Sequence, residues 1–257
     1  MKAWRLILDG ACDGAWNMAV DAAMLAARAR GEAPPTLRLY RWSTPTVSLG
    51  KFQSAEDLDA DAVRGFGVEV VRRPTGGRGV LHDDELTYSV IAGVEDGIPR
   101  GVVASYRLLS RALAEAYRRL GVPAEITARP RGNRAASACY LHATHADLSL
   151  GAAKLSGSAQ VWLSDACLQH GSFVRSRDVG REAAIFRLDP AAASQLAATT
   201  ATLADVLGDP PDTERIAQAV QASFEQVLGV AFEEAALTEA ERAEAERTAA
   251  SHAVRVG

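Results

Sequence analysis

The stretch RRPTGGRGVLHDDELTYSV, residues 72–90, decides the fold of this chain. Apolar and β-branched residues predict strands from Val68 and from Leu86, on the two sides of a loop. Three glycines lie in that loop: Gly76, Gly77 and Gly79. Glycine allows positive φ angles and lets a ligand lie directly on the main chain, whose N–H groups then hold a carbonyl or phosphate oxygen. On spacing alone, a ligand-binding loop and a plain hairpin turn with solvated arginines are equally favoured.

The two common nucleotide-binding fingerprints do not fit this loop. It lacks the Walker A pattern, and it is not a GxGxxG sequence that opens a helix. The loop therefore predicts a ligand site of another kind or no site at all.

Predicted strands and helices flank the loop on both sides. Before it, we expect a strand in AWRLILD, a helix capped by Asp13 that runs to about Arg30, and strands TLRLYRW and TVSLG paired around a turn at residues 43–45. After it, a helix is expected from Ser105 to Gly121. Three strands follow: DLSL, KLSGSAQVWL and ACLQHGSFV. This order predicts a mixed α/β fold.

The last part of the chain is rich in alanine and glutamate. One helix is expected to begin at Asp212 or Thr213, and another at Thr238, which opens a capping-box pattern. We therefore predict a catalytic core over residues 1–205 and a helical C-terminal extension over residues 206–257.

Composition limits the possible functions. The chain has 257 residues, of which 48% are hydrophobic, and a net charge of −4, so no global basic field attracts nucleic acid. No apolar run reaches the roughly 20 residues that span a bilayer, and the N-terminus lacks a signal-peptide pattern. Sparse cysteines without a CxxC pair fit a reducing compartment: Cys12, Cys139 and Cys167. We expect a cytoplasmic protein with no nucleic-acid or membrane partner.

Four blocks of the sequence resemble the family of lipoate-protein ligases and octanoyltransferases. Residues 72–90 resemble the family motif RR-x-[ST]-GG-x-x-V-x-HD, and residues 154–160 (KLSGSAQ) resemble its K-[ILV]-[SA]-GSAQ element. Residues 169–172 (QHGS) resemble the HG segment that follows, and residues 17–21 (NMAVD) resemble the first helix of the family. The blocks occur in the family's order over roughly residues 15–175.

The resemblance implies a fold and an acyl pocket. The implied fold is the biotin/lipoyl-ligase core, a mixed β-sheet packed by helices and related to class II synthetase catalytic domains. The residues implied to bind the substrate are Arg73, Gly76, Gly77, Arg78, Gly79, His82, Gly157 and Ser158. For His82, a structural hydrogen bond to the loop is an equally favoured role. Arg78 is a departure, because many ligases of the family have another glycine there.

The family divides by chemistry, and Cys139 indicates the branch. The ligases activate free lipoate with ATP and need no cysteine, whereas the transferases take octanoyl from acyl carrier protein through a cysteine thioester. Residues 137–140 (SACY) resemble the cysteine element of those transferases, and Lys154 follows Cys139 by fifteen residues. The resemblance therefore implies Cys139 as the acyl-carrying nucleophile and Lys154 as its catalytic neighbour, with no cofactor and no metal.

Several alternatives remain open at this point. One is an ATP-dependent lipoate-protein ligase, another is an octanoyl amidotransferase between lipoyl domains, and a third is a lipoyl-domain binding module without catalysis. The expected partners are octanoyl-acyl carrier protein as donor and a lipoyl-domain protein, such as the glycine-cleavage H protein, as acceptor.

The spacing Cys139-x-x-His142-x-x-His145 also suggests a metal site. Three residues at this pitch lack a fourth ligand and match no common zinc spacing. We therefore expect no metal here and treat His142 and His145 as loop residues.

Overall fold

The computed structural model describes residues 2–127 and 147–257. Its strands are β1 (Lys2–Cys12), β2 (Thr36–Trp42), β3 (Thr46–Leu49), β4 (Glu69–Arg72), β5 (Val80–His82), β6 (Glu85–Gly93), β7 (Glu125–Thr127), β8 (Asp147–Leu150), β9 (Ala153–Ser156), β10 (Ser158–Leu163), β11 (Ala166–Val174) and β12 (Val230–Glu234). Its α-helices are α1 (Gly14–Ala29), α2 (Ala60–Gly65), α3 (Val102–Arg119), α4 (Val179–Ile185), α5 (Pro190–Thr199), α6 (Leu203–Leu207), α7 (Thr213–Leu228) and α8 (Glu239–His252).

Six strands form the central sheet, in the order β10-β11-β6-β2-β1-β12. β1 runs parallel to β2 and β12, and the other neighbouring strands are antiparallel. Because side chains alternate along a strand, β1 places Leu6 in an apolar cluster with α3 and α7, and Ile7 in another with α1 and α8. A pair of helices therefore covers each face, and the predicted mixed α/β fold is confirmed.

The glycine loop, residues 73–79, belongs to a second sheet of three strands. We call this the small sheet; β3 lies in its middle, parallel to β4 and antiparallel to β5. The loop therefore crosses over the end of β3, and the plain hairpin interpretation is wrong. Gly50 follows β3 directly beneath the loop, where a Cβ atom would lie only 2.0 Å from the carbonyl oxygen of Gly77.

The predicted pairing of TLRLYRW with TVSLG is also wrong. β2 pairs with β1 and β6 in the central sheet, whereas β3 pairs with β4 and β5. The turn between them carries the chain from one sheet to the other. Both strands are buried over most of their length, so no alternation of polar residues marks their partners.

The helix predictions agree with the structure, with small shifts of boundary. Asp13 caps α1 through the N–H of Trp16, and Thr238 forms a capping box with Glu241 at the start of α8. α3 begins at Val102, ahead of the expected Ser105.

The C-terminal part of the chain also contains a strand that the sequence patterns did not predict. β12 adds to the edge of the central sheet beside β1, and α8 packs on α1. The division into a core over residues 1–205 and an extension over residues 206–257 stays a prediction.

Candidate functional site

A cavity of about 470 Å³, including the solvent space at its mouth, lies between the glycine loop, the small sheet and the central sheet. Its apolar wall comes from α1 and β2: Met18, Tyr40 and Trp42. Four of the predicted substrate-binding residues line it: Arg73, His82, Gly157 and Ser158. Among the described residues, the other four lie outside the lining: Gly76, Gly77, Arg78 and Gly79. The cavity combines an apolar wall with a few polar groups, as an acyl ester or thioester requires.

Arg73 is buried and holds the glycine loop together. Its Nη2 donates to the carbonyl oxygens of Gly76 and Arg78, at 2.8 and 2.7 Å. Its Nη1 donates to the carbonyl oxygen of Ser48 at 2.6 Å, and its Nε donates to Thr75 Oγ1 at 3.1 Å. The guanidinium thus fixes the curvature of the loop from inside, in addition to facing the cavity.

A first hydrogen-bond chain leads from Glu85 to Arg73, and we call it the Glu85 chain. His82 Nδ1 donates to Glu85 Oε1 at 2.8 Å, and His82 Nε2 lies 2.8 Å from Ser48 Oγ. Ser48 Oγ in turn accepts from Arg73 Nη1 at 3.2 Å. Trp42 stacks on the His82 ring with 4.2 Å between centroids. The expected structural hydrogen bond of His82 and its position in the cavity lining therefore occur together.

A second chain, the Asp21 chain, approaches Arg73 from the central sheet. His170 Nδ1 lies 3.1 Å from Asp21 Oδ2, and His170 Nε2 lies 2.7 Å from Thr75 Oγ1. Asp21 also accepts from Ser89 Oγ at 2.6 Å and from the buried Arg38 at 3.0 Å. Helix α1, strand β11 and the glycine loop are therefore joined by one continuous set of hydrogen bonds.

The charge states along these chains follow from burial and pairing. Burial opposes ionisation of Asp21, but the hydrogen bond from His170 and the charge of Arg38 outweigh it and lower the pKa of Asp21. Burial likewise opposes ionisation of Glu85, but His82 and the Ser172 and Thr87 hydroxyls lower its pKa. Burial lowers the pKa of His170 despite the neighbouring Asp21. The site thus holds buried carboxylates and a neutral His170 near neutral pH.

The glycines of the loop differ in what a side chain would meet at each position. Gly77 has a φ of +97°, which residues with a side chain rarely adopt. A Cβ atom at Gly79 would lie 2.5 Å from the ring of Phe186, whereas Gly76 has open space at the same position. Arg78 is partly exposed, with Nη1 3.9 Å from Asp57 Oδ2.

Lys154 is buried on β9, three residues before the cavity residue Gly157. Only 2% of it is exposed, and its Nζ lies 3.4 Å from Oδ1 of the buried Asp147. Two residues further along β9, Ser156 Oγ donates to the carbonyl oxygen of the cavity residue Ser172 at 2.8 Å. Strand β9 therefore leads from Lys154 directly to the cavity wall at Gly157.

Cys139, His142 and His145 lie outside the described residues, so their predicted roles stay predictions. The two described cysteines are poor nucleophiles. Burial and the neighbouring Asp9 raise the pKa of Cys12, and burial raises the pKa of Cys167 to about 12. Because the thiolate is the reactive form, neither carries much of it near neutral pH.

The sequence patterns missed Asp21, His170, Glu85 and Thr75 as site residues. Asp21 and His170 stand in blocks that resemble the family, but nothing in the sequence indicates that the two side chains meet. A polar residue in the middle of a buried helix or strand was the available signal, because such residues need a partner.

In residues 2–127 and 147–257, no group of three or more His, Cys, Asp or Glu side chains is arranged to hold a metal ion. The same ranges contain no helix long and apolar enough to cross a membrane.

Comparisons with known proteins connect this geometry with a family. Residues 13–225 match the model of the lipoyl protein ligase A/B catalytic domain. Octanoyltransferase LipM of Symbiobacterium thermophilum is 40% identical over 255 residues, which cover 95% of this chain and 93% of that protein. Octanoyltransferase LipM of Moorella thermoacetica is 37% identical, with 98% and 96% covered.

Solved structures show the same fold. A lipoate-protein ligase A bound with ATP superimposes with a TM-score of 0.81 and 24% identity, covering 97% of this chain and 95% of that one. The putative lipoate protein ligase Ta0514 of T. acidophilum, with bound lipoic acid, has a TM-score of 0.79 and 24% identity, covering 96% and 94%.

Proposed function

Because the chain belongs to the lipoyl protein ligase A/B catalytic domain family, we propose that it is an octanoyltransferase of lipoate biosynthesis. Near-full-length relatives at 37–40% identity are named octanoyltransferase LipM, and this is the observation that carries the proposal. The largely apolar cavity supports it because it offers space for an acyl chain, and β9 connects the cavity wall at Gly157 with the buried Lys154.

In the first half-reaction, the Cys139 thiolate attacks the carbonyl carbon of the octanoyl thioester on acyl carrier protein. The tetrahedral oxyanion collapses, the bond to the carrier sulfur breaks, and the carrier thiol takes up a proton. The octanoyl group is then held as a thioester on Cys139. No ATP and no metal ion enter this step.

In the second half-reaction, the amine of a lysine on a lipoyl-domain protein attacks that thioester. An amide bond forms, the Cys139 sulfur leaves, and the proton lost from the amine returns the thiol. The proposed acceptor is the glycine-cleavage H protein, and the donor and acceptor use the same cysteine in turn.

Lys154 orients the cysteine and stabilises the oxyanion. Lowering a thiol pKa by about two units raises the thiolate fraction roughly tenfold, but most of that gain is lost because nucleophilicity falls with a β of about 0.4–0.5 in thiol exchange. One oxyanion donor, by contrast, is worth about 3 kcal/mol. The ion pair with Asp147 supports this role because it holds Nζ in a fixed place. A Lys154→Arg variant that acylates at a near-normal rate would contradict the positioning role, since arginine keeps the charge but not the compact geometry.

The decisive experiment is acylation without ATP. The purified protein is incubated with octanoyl-acyl carrier protein, and intact mass spectrometry measures an octanoyl adduct that hydroxylamine removes. We expect the adduct in wild type and in the matched control Cys12→Ser, and none in Cys139→Ser.

The competing functions give different results in the same assay. Transfer that requires ATP and survives Cys139→Ser would identify a lipoate-protein ligase and contradict the proposal. An adduct formed only from octanoylated H protein would identify an amidotransferase. Binding of a lipoyl domain without any transfer would identify a binding module.

A further inference from the structure

The Asp21 chain connects the central sheet with a loop residue that belongs to no strand. Thr75 lies between β4 and β5, outside the strand pairing of the small sheet, and its side chain is fully buried. We propose that Asp21 and His170 are positioning residues for acyl transfer, because through Thr75 they hold the glycine loop at the distance from the central sheet that the acyl chain requires.

The directions of these hydrogen bonds show which protonation state of His170 satisfies every group in the Asp21 chain. Arg73 only donates, so Thr75 Oγ1 accepts from Arg73 Nε and its own hydroxyl hydrogen points at His170 Nε2. Asp21 only accepts, so the ring hydrogen of His170 lies on Nδ1. Each group then has the partner that its chemistry needs, and this holds only while the imidazole is neutral.

The surroundings of His170 favour that neutral state. Asp21 faces it from α1 and is itself paired with Arg38 of β2, which neutralises much of its attraction for a proton. The charge of Arg73, which follows β4, and His82 on β5 also act against a second proton, and burial lowers the pKa of His170 most. A protonated His170 would direct a second N–H at Thr75 Oγ1, and the Thr75 hydroxyl hydrogen would then need another acceptor.

The link affects the cavity because it joins the glycine loop to β11, and His170 of β11 and Arg73 at the start of the loop both line the cavity. His170 lies on the central sheet and lines the cavity, as does Arg73, whose loop Thr75 holds. Thr75 is also joined to the turn after β3, since its carbonyl oxygen accepts from the Lys51 N–H at 2.9 Å. Loss of the hydroxyl therefore removes the link between the loop and β11 and leaves Lys154 in place. We expect weaker acyl-donor binding with the chemical step preserved.

The test is the matched pair Thr75→Val and Thr75→Ser, with Thr46→Val as control. Thr46 is a buried threonine whose hydroxyl donates to the carbonyl oxygen of Thr44, away from the cavity. Single-turnover acylation of Cys139 by octanoyl-acyl carrier protein is measured against donor concentration. Thr75→Val should raise the half-saturating concentration about tenfold, since it leaves the buried acceptor His170 Nε2 without its partner hydroxyl. It should change the limiting rate by less than about threefold. Thr75→Ser should recover most of the loss, and Thr46→Val should match wild type.

A double-mutant cycle with His170→Gln tests whether the two residues act through one bond. The half-saturating concentration of the double variant should exceed that of either single variant only slightly, because the shared contact is already lost. Fully multiplicative effects, or a Thr75→Val variant within about twofold of wild type, would overturn the inference.

The inference rests on the proposed function for its acylation readout, so a second readout is independent of it. Hydrogen exchange of a peptide that covers the glycine loop should be faster in Thr75→Val than in wild type and Thr75→Ser. Wild-type protein that takes no octanoyl contradicts the proposed function, and the exchange measurement then decides the inference alone. Unchanged exchange in Thr75→Val would overturn it.

Discussion

The Glu85 chain and the Asp21 chain contain the same kinds of groups, but the first ends on a strand residue and the second on a loop residue. Each runs from a buried carboxylate through an imidazole to a hydroxyl that accepts from Arg73. The first ends on Ser48, which β3 already holds through pairing with β4 and β5. The second ends on Thr75, in a loop that crosses the end of β3.

The difference shows where a side-chain hydrogen bond controls geometry. In a strand, ladder hydrogen bonds on both sides define the backbone, so a side-chain contact adds stability but little position. The glycine loop has no such ladder, so buried side-chain contacts contribute more to the position of its main chain. These are the bonds from Arg73 to the loop carbonyls and the Thr75–His170 bond, beside one backbone bond from Lys51. We therefore expect the Glu85 chain to act on stability and the Asp21 chain to act on stability and substrate binding together.

The largest expected effect is a difference in the free energy of unfolding between variants of Asp21 and Glu85. Asp21→Asn should lower the free energy of unfolding by about 3 kcal/mol, because it removes one of the two carboxylates paired with the fully buried Arg38 and leaves only the partly exposed Asp9. Glu85→Gln should cost about 1–3 kcal/mol, since its contacts in the described structure are to His82 and to hydroxyl groups. Urea unfolding at pH 7 measures both, and equal losses would remove the distinction between the chains.

A second prediction concerns the way the loop packs on β3. Gly50→Ala should destabilise the protein by about 1–3 kcal/mol, because its Cβ would collide with the backbone carbonyl of Gly77, which cannot move away cheaply. Gly76→Ala is the matched control, since the space at Gly76 is open, and it should cost less than about 1 kcal/mol. Thermal unfolding of the two variants measures the difference; similar melting temperatures would mean that the loop yields easily.

The smallest expected effect is a pH dependence that belongs to His170. Its pKa is lowered in the folded protein, so below the unfolded value of about 6.5 the unfolded chain binds a proton that the folded protein excludes. The contribution of His170 to the free energy of unfolding should therefore be nearly constant above about pH 6.5. Below that pH it should fall by at most about 1.4 kcal/mol per pH unit. Urea unfolding between pH 5 and 8 should show this slope as the difference between wild type and His170→Gln. The same slope in both proteins would assign it to other groups.

Much of the local structure and the family could be predicted from the sequence because local spacing encodes them. The caps at Asp13 and Thr238 lie within a few residues of the N–H groups they bind, and the pattern of apolar residues defines α7. Two blocks that resemble the family contain residues of the cavity lining: Arg73 and His82 in residues 72–90, and Gly157 and Ser158 in KLSGSAQ. Lys154 was identified in the same way, as a lysine inside a block that resembles the family.

Tertiary structure alone decided the contacts between residues far apart in the chain. The separation of β2 and β3 into different sheets and the edge strand β12 depend on long-range pairing that alternation does not encode. Asp21, Thr75 and His170 meet across α1, the glycine loop and β11, and Gly50 needs its missing side chain only because the loop crosses there. The sequence by itself determined which residues face a partner within one element, because helices and strands repeat every few residues. Only the packed structure decided which elements meet, since burial and hydrogen bonding between distant segments choose among arrangements that are locally equal.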